Sequence, residues 1–144
     1  MSPTIARSAG ENTPVRRLAS HTLATVPPDA TLQQVAEELA MDEIGVVVVE
    51  QGRETLGVVS ERDLVAVIAA GGRLDAQATD LMTVDLVSAP EDTTVLEVAR
   101  LMVDAGVRHV LVTSPAPEDD RDDGPVVGIV SMRDVVGFLL DDAV

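Results

Sequence analysis

The 144-residue chain sets 25 Asp and Glu against ten Arg and no Lys, a formal net charge of −15. So negative a surface repels polyanions, and with Phe138 as the one aromatic residue there is nothing on which bases could stack, which argues against a nucleic-acid partner. Cysteine is absent, no apolar run approaches the ~18 residues of a membrane span, and the first twenty residues lack a signal-peptide core, so a soluble, cytoplasmic protein with an aliphatic core is expected.

Residues 1–14 are polar and aperiodic and are expected to form a disordered tail. Val15–Ser20 suits a short helical turn leading into a brief strand, Leu23–Val26, which Pro27-Pro28-Asp29 ends. Thr31 and Gln34 have the spacing of a capping box. Behind it, Leu32, Val35, Ala36, Leu39 and Ala40 follow the period of a helix with one buried face. Ile44–Val49 is a continuous β-branched run too short for a helix, and it predicts a buried strand. Gln51-Gly52 supplies a turn, Leu56–Ser60 the returning strand, and Leu64–Ala70 a helix stopped by Gly71-Gly72.

The same plan then returns. Residues 15–50 align without a gap to residues 78–113 at an offset of 63, with nine identities, among them Leu18/Leu81, Pro27/Pro90 and Val47/Val110. Thr94 and Glu97 repeat the cap, and Val95, Val98, Ala99, Met102 and Val103 repeat the apolar helix face. At an offset of 71, Gly57–Leu64 matches Gly128–Val135 with five identities in eight positions. The change of offset reflects Ser114–Val127, fourteen residues where copy one has the six of Gln51–Leu56. Each copy reads β-α-β-β-α, an α+β architecture, and at about 60 residues neither buries enough surface to be comfortable alone. The insertion 114–124 is acidic and Pro-containing, which suits a solvated hairpin loop. Asp119, Asp120, Asp122 and Asp123 lack the spacing of a calcium loop, so no metal site is expected there.

The repeated Ser-x-Arg-Asp segments, Ser60/Arg62/Asp63 and Ser131/Arg133/Asp134, stand where a strand runs into a helix. A structural reading makes Ser and Asp a helix cap, and a duplication copies caps as faithfully as sites. A functional reading notes that a helix N-terminus attracts phosphate, that Arg is shaped to grip it, and that a carboxylate suits two ribose hydroxyls. Both remain open from the residues alone.

The matching pieces are Thr25–Thr31 with Ser88–Thr94, Ile44–Val49 with Gly106–Val110, the lead-in Thr79–Thr83 and the two Gly-x-x-Ser-x-Arg-Asp ends. In this order, twice, they resemble a tandem pair of CBS domains, named after cystathionine β-synthase, here standing alone. The repeats would span 15–77 and 78–140, with 141–144 a tail. The resemblance implies a pseudo-twofold pair, commonly a homodimer, that binds adenine nucleotides (AMP, ADP, ATP) or S-adenosylmethionine in clefts between the repeats and signals to an effector protein. It gives Asp63 and Asp134 the ribose hydroxyls, and Ser60, Arg62, Ser131 and Arg133 the phosphate. Thr25, Val26, Ser88 and Ala89 would flank the base; Val46, Val47, His109 and Val110 would wall it.

Two departures matter. Val48 and Leu111 stand where the family often has Pro, and Arg108-His109 has only Gly45-Val46 opposite it in copy one, so the second cleft is expected to suit several phosphates better. His109 is equally readable as a hydrogen-bonded core residue. His21 lies in a loop and is assigned nothing. With two His 88 residues apart and no Cys, no nucleophile–base pair is expected, hence no enzyme and no obligatory cofactor. The alternative is a ligand-free structural or dimerisation module docking through Leu64–Ala70 and Val135–Leu140.

Overall fold

The computed structural model describes residues 10–41, 45–115 and 124–142. Met1–Ala9, Asp42–Ile44, most of the acidic insertion and the last two residues lie outside the described residues. Among those described, the order is a 3-10 turn (Val15–Arg17), β1 (Thr25–Val26), α1 (Leu32–Met41), β2 (Val46–Gln51), β3 (Glu54–Ser60), α2 (Glu61–Ala69), α3 (Ala78–Leu81), β4 (Ser88–Pro90), α4 (Val95–Ala105), β5 (His109–Thr113), β6 (Val126–Ser131) and α5 (Met132–Asp142). No helix among them is long and apolar enough to cross a membrane. The β-α-β-β-α plan of each copy is present, in two three-stranded sheets ordered β1-β2-β3 and β4-β5-β6.

The two sheets have the same register. β1 runs parallel to β2 with Thr25 opposite Val48, and β4 parallel to β5 with Ser88 opposite Leu111. β2 and β5 then pair antiparallel with β3 and β6, placing Val46 opposite Ser60 and His109 opposite Ser131. Even the bulge repeats, between Val49/Glu50 and between Val112/Thr113. Val46–Val49 lacks the alternation of a half-exposed strand because all four side chains are buried, at 0–3% exposure. Val47 and Val49 join Leu32, Val35, Leu39 and Val59 in one core; Val110, Val112, Val95, Val98, Met102 and Val130 form the other.

The reciprocal cap that the spacing predicts forms at Thr31 and Gln34, and at Thr94 and Glu97 its forward bond is present. Thr31 N–H donates to Gln34 Oε1 at 2.9 Å and Gln34 N–H to Thr31 Oγ1 at 3.2 Å, while Glu97 N–H donates to Thr94 Oγ1 at 3.2 Å.

The compact units do not coincide with the sequence repeats. One unit is Leu23–Leu86; the other joins the chain before Leu23 to the chain after Leu86. Each repeat's lead-in therefore completes the sheet of the other repeat's body. In the first unit Val58 and Thr83 exchange backbone hydrogen bonds at 3.1 and 2.8 Å, and Ala78 N–H donates to Ala30 O at 2.7 Å. In the second, Ile129 and Ser20 exchange bonds at 3.0 and 2.8 Å, and Val15 N–H donates to Thr93 O at 2.7 Å. These are the same contacts at repeat-equivalent positions. Thr13 and Pro14, inside the segment expected to be a tail, are docked as well. Val95 N–H donates to Thr13 O at 2.9 Å, which satisfies an amide that the first turn of α4 leaves without an intrahelical partner.

The lead-ins explain the first identical residue of the repeated octets. A Cβ on Gly57 would lie 2.8 Å from Thr83 O and 2.8 Å from Met82 Sδ, and one on Gly128 would lie 2.9 Å from Ser20 O. Glycine is required because a neighbouring backbone passes where a side chain would begin.

Candidate functional site

β3 delivers Ser60 to the N-terminus of α2, and β6 delivers Ser131 to that of α5. Ser60 N–H donates to Asp63 Oδ2 at 2.9 Å and Asp63 N–H to Ser60 Oγ at 3.1 Å; for Ser131 and Asp134 the two distances are 2.8 and 3.1 Å. Both junctions are thus reciprocal capping boxes, each worth about 1 kcal/mol of helix stability. The first amide of each helix is also engaged, with Glu61 N–H donating to Gly45 O at 3.1 Å and Met132 N–H to Arg108 O at 2.8 Å. That leaves the second amide, of Arg62 or Arg133, as the one these contacts do not use.

The caps leave chemical capacity. A carboxylate offers about four lone-pair sites and a hydroxyl oxygen accepts twice, so one N–H each does not saturate them. Asp63 and Asp134 are half-buried, Arg62 and Arg133 exposed, and among the described residues neither guanidinium is held in an ion pair. Each junction therefore presents a hydroxyl, a carboxylate and an exposed cation around one helix tip. Such a tip favours negative charge through its partial positive potential.

The remaining candidates sort by sheet face. Thr25 and Ser88 are exposed at the edge strands, while Val26 and Ala89 are buried at 5% and 2% in their own cores. Val47 and Val110 are fully buried in those cores, whereas Val46 and His109 belong to the opposite sheet face. From the strand geometry, Thr25 and Ser60 lie two strands and two residues apart, roughly 12 Å, the span from base to sugar-phosphate of a mononucleotide. Arg108 is exposed and His109 half-buried beside Ser131, where copy one has Gly45 and Val46.

Two features escaped the reading of the sequence. His21 is a clamp, with Nδ1 3.2 Å from Val127 O and Nε2 3.0 Å from Arg16 O. Arg16 pairs with Asp92, the acidic residue after β4. Both depend on the lead-in lying against the other copy's body, for which the alignment carries no signal.

A family model for the CBS domain matches residues 15–70 and 78–141. The chain is 31% identical over 131 residues to a 17.7 kDa protein of Acidianus ambivalens, covering 90% of this chain and 74% of that one. It is also 31% identical over 125 residues to a protein of Methanopyrus kandleri, covering 85% of this chain and 60% of that longer relative, less than two thirds of its length. Among solved structures, a CBS domain protein of Pyrobaculum aerophilum complexed with AMP superposes with a TM-score of 0.75 at 27% identity, over 90% of this chain and 98% of that one. With two matched repeats, the register they share and the junction that closes each, the chain belongs to the CBS domain family.

Proposed function

We propose that the protein is a regulatory module that binds an adenine nucleotide at its strand-to-helix junctions and reports occupancy to a partner protein. The observation that carries this reading is the junction itself, built twice, with Ser, Asp and an Arg that has no ion pair among the described residues around a helix N-terminus. Asp63 and Asp134 take the ribose hydroxyls with the lone pairs their caps leave; Ser60, Arg62, Ser131 and Arg133 meet phosphate. Thr25, Val26, Ser88 and Ala89 offer main-chain groups to the base, against Val46 and His109, while Val47 and Val110, whose side chains lie in the cores, offer main chain alone. Arg108 adds a second cation in copy two. The AMP complex of the Pyrobaculum relative supports AMP as the first ligand to try, with ADP, ATP and S-adenosylmethionine beside it. A family of regulatory rather than catalytic modules supports a binding role over an enzyme's. Signalling then requires that the nucleotide bind one arrangement of the protein better than another.

The test is a thermal shift. AMP at a hundredfold excess over its dissociation constant adds about 2.7 kcal/mol of apparent stability, a rise in Tm of roughly 5–10 °C for a chain of this size. Asn accepts an N–H as Asp does, so Asp63→Asn with Asp134→Asn keeps both caps and removes both charges. Undiminished AMP binding in that double variant would sink the ribose assignment.

The caps also favour a second reading, a module whose junctions are purely structural. Its interaction surface would be helical: Val65 and Ile68 on α2 are 63% and 57% exposed, and Val136 and Leu140 on α5 are 51% and 65% exposed. Val65 and Val136 are repeat equivalents, which suits pairing with a second copy of the chain, and a homodimer accommodates either reading. A tight dimer by light scattering with no response to any of the four ligands would select the structural one.

A further inference from the structure

β4 and one flank of α4 border an open, solvent-facing cavity of about 350 Å3. Its floor is apolar, made by Ala89, Pro90 and Leu101, and Ser88 and Thr93 stand at its β4 end. Along α4 it is lined by Glu97, Arg100 and Asp104, three and then four residues apart, so their side chains form one row with neighbours about 5–6 Å apart. The charges alternate: negative, positive, negative. All three residues are exposed, and among the described residues none of the three is in an ion pair, although the spacing would allow it. None of the lining residues belongs to β6 or α5; Ser88 and Ala89 also flank the base in the proposed nucleotide site, whereas Glu97, Arg100 and Asp104 take no part in it.

The fold does not demand this row. At repeat-equivalent positions copy one has Gln34 for Glu97, Glu37 for Arg100, Glu38 for Leu101 and Met41 for Asp104. The same helix face there carries no cation, and its one apolar residue, Met41, stands where copy two has Asp104. The cavity's chemistry is therefore a property of copy two alone.

A ligand complementary to the row carries both charges at short separation. A phosphate ester would face two carboxylates, and a polyamine would face the central guanidinium. We propose that the cavity binds a free α-amino acid with a small aliphatic side chain. Its carboxylate lies on Arg100, its ammonium between the carboxylates of Glu97 and Asp104, and its side chain on Ala89, Pro90 and Leu101. The volume lies at the lower end of small-molecule sites, ~300–1,000 Å3, which suits a ligand of this size.

Calorimetry on the full chain with L-valine, putrescine and AMP tests the proposal. L-valine is expected to give saturable heat in the micromolar-to-millimolar range, with putrescine silent. Arg100→Gln and Glu97→Gln, both at exposed positions that leave the caps intact, should each weaken valine about tenfold or more. AMP binding should be unchanged in both, so failure of the nucleotide reading and failure of this one are separately visible. No saturable heat with L-valine up to about 10 mM, equal binding by both variants, or a response to putrescine in place of valine would overturn it.

Discussion

In the unit built on Leu23–Leu86, the lead-in that pairs with β3 carries Thr79 and Val84; at the same positions the lead-in of the other unit carries Arg16 and His21. The backbone contacts are the same. Thr79 N–H donates to Pro28 O at 3.2 Å and Arg16 N–H to Glu91 O at 3.1 Å, again at equivalent positions. Among the described residues, side chains add to them in the second unit, through the Arg16–Asp92 pair and the His21 bridge. The same divergence separates Gly45-Val46 from Arg108-His109 and Glu37 from Arg100. A duplicated fold keeps what its hydrogen-bond ladder and core require, because a lost ladder bond or a cavity costs stability directly. Exposed polar positions are released from that demand, and there the copies come to differ in chemistry.

The largest expected effects probe what the copies share. Leu32→Ala in α1 should cost about 3 kcal/mol and its counterpart Val95→Ala in α4 about 2 kcal/mol in urea unfolding, since both side chains are buried and the first loses more methylene. Equal losses would mean that the two cores are not packed alike. Gly57→Ala and Gly128→Ala should each cost about 2 kcal/mol, because the new methyl meets a lead-in carbonyl. A cost in one and not the other would show that only one lead-in is held in place. At the junctions, Ser60→Ala and Ser131→Ala should each cost about 1 kcal/mol through loss of a cap.

Two further measurements probe what separates the copies. Asp134→Ala should weaken AMP binding more than Asp63→Ala, because Arg108 and His109 flank only the second junction. Calorimetry that finds identical losses would remove the asymmetry. The smallest effect belongs to the ion pair: Asp92→Asn should cost no more than about 0.5 kcal/mol, a difference that vanishes at high salt. Asp29→Asn, whose repeat-equivalent partner position holds the uncharged Thr79, should cost nothing measurable at any salt.

Much of this was legible in the chain. Thr31/Gln34 and Ser60/Asp63 announce caps because a cap is a local contact between residues three apart, and Leu32, Val35 and Leu39 announce a buried helix face because the period is set by the backbone. The valine run of β2 signalled a strand buried on both faces. The internal repeat multiplied each of these weak signals by two, and so fixed the β-α-β-β-α order and the family.

Tertiary structure alone decided which lead-in serves which body, and with it the need for Gly57 and Gly128, the clamp at His21 and the partner of Arg16. It also decided that Val47 and Val110 face the core, and that β4 and α4 border an open cavity lined by alternating charges. The physical reason is sequence distance. Contacts across three or four residues are dictated by backbone geometry, whereas Ser20 with Ile129, or Gly57 with Thr83, meet only after the whole chain has chosen its packing.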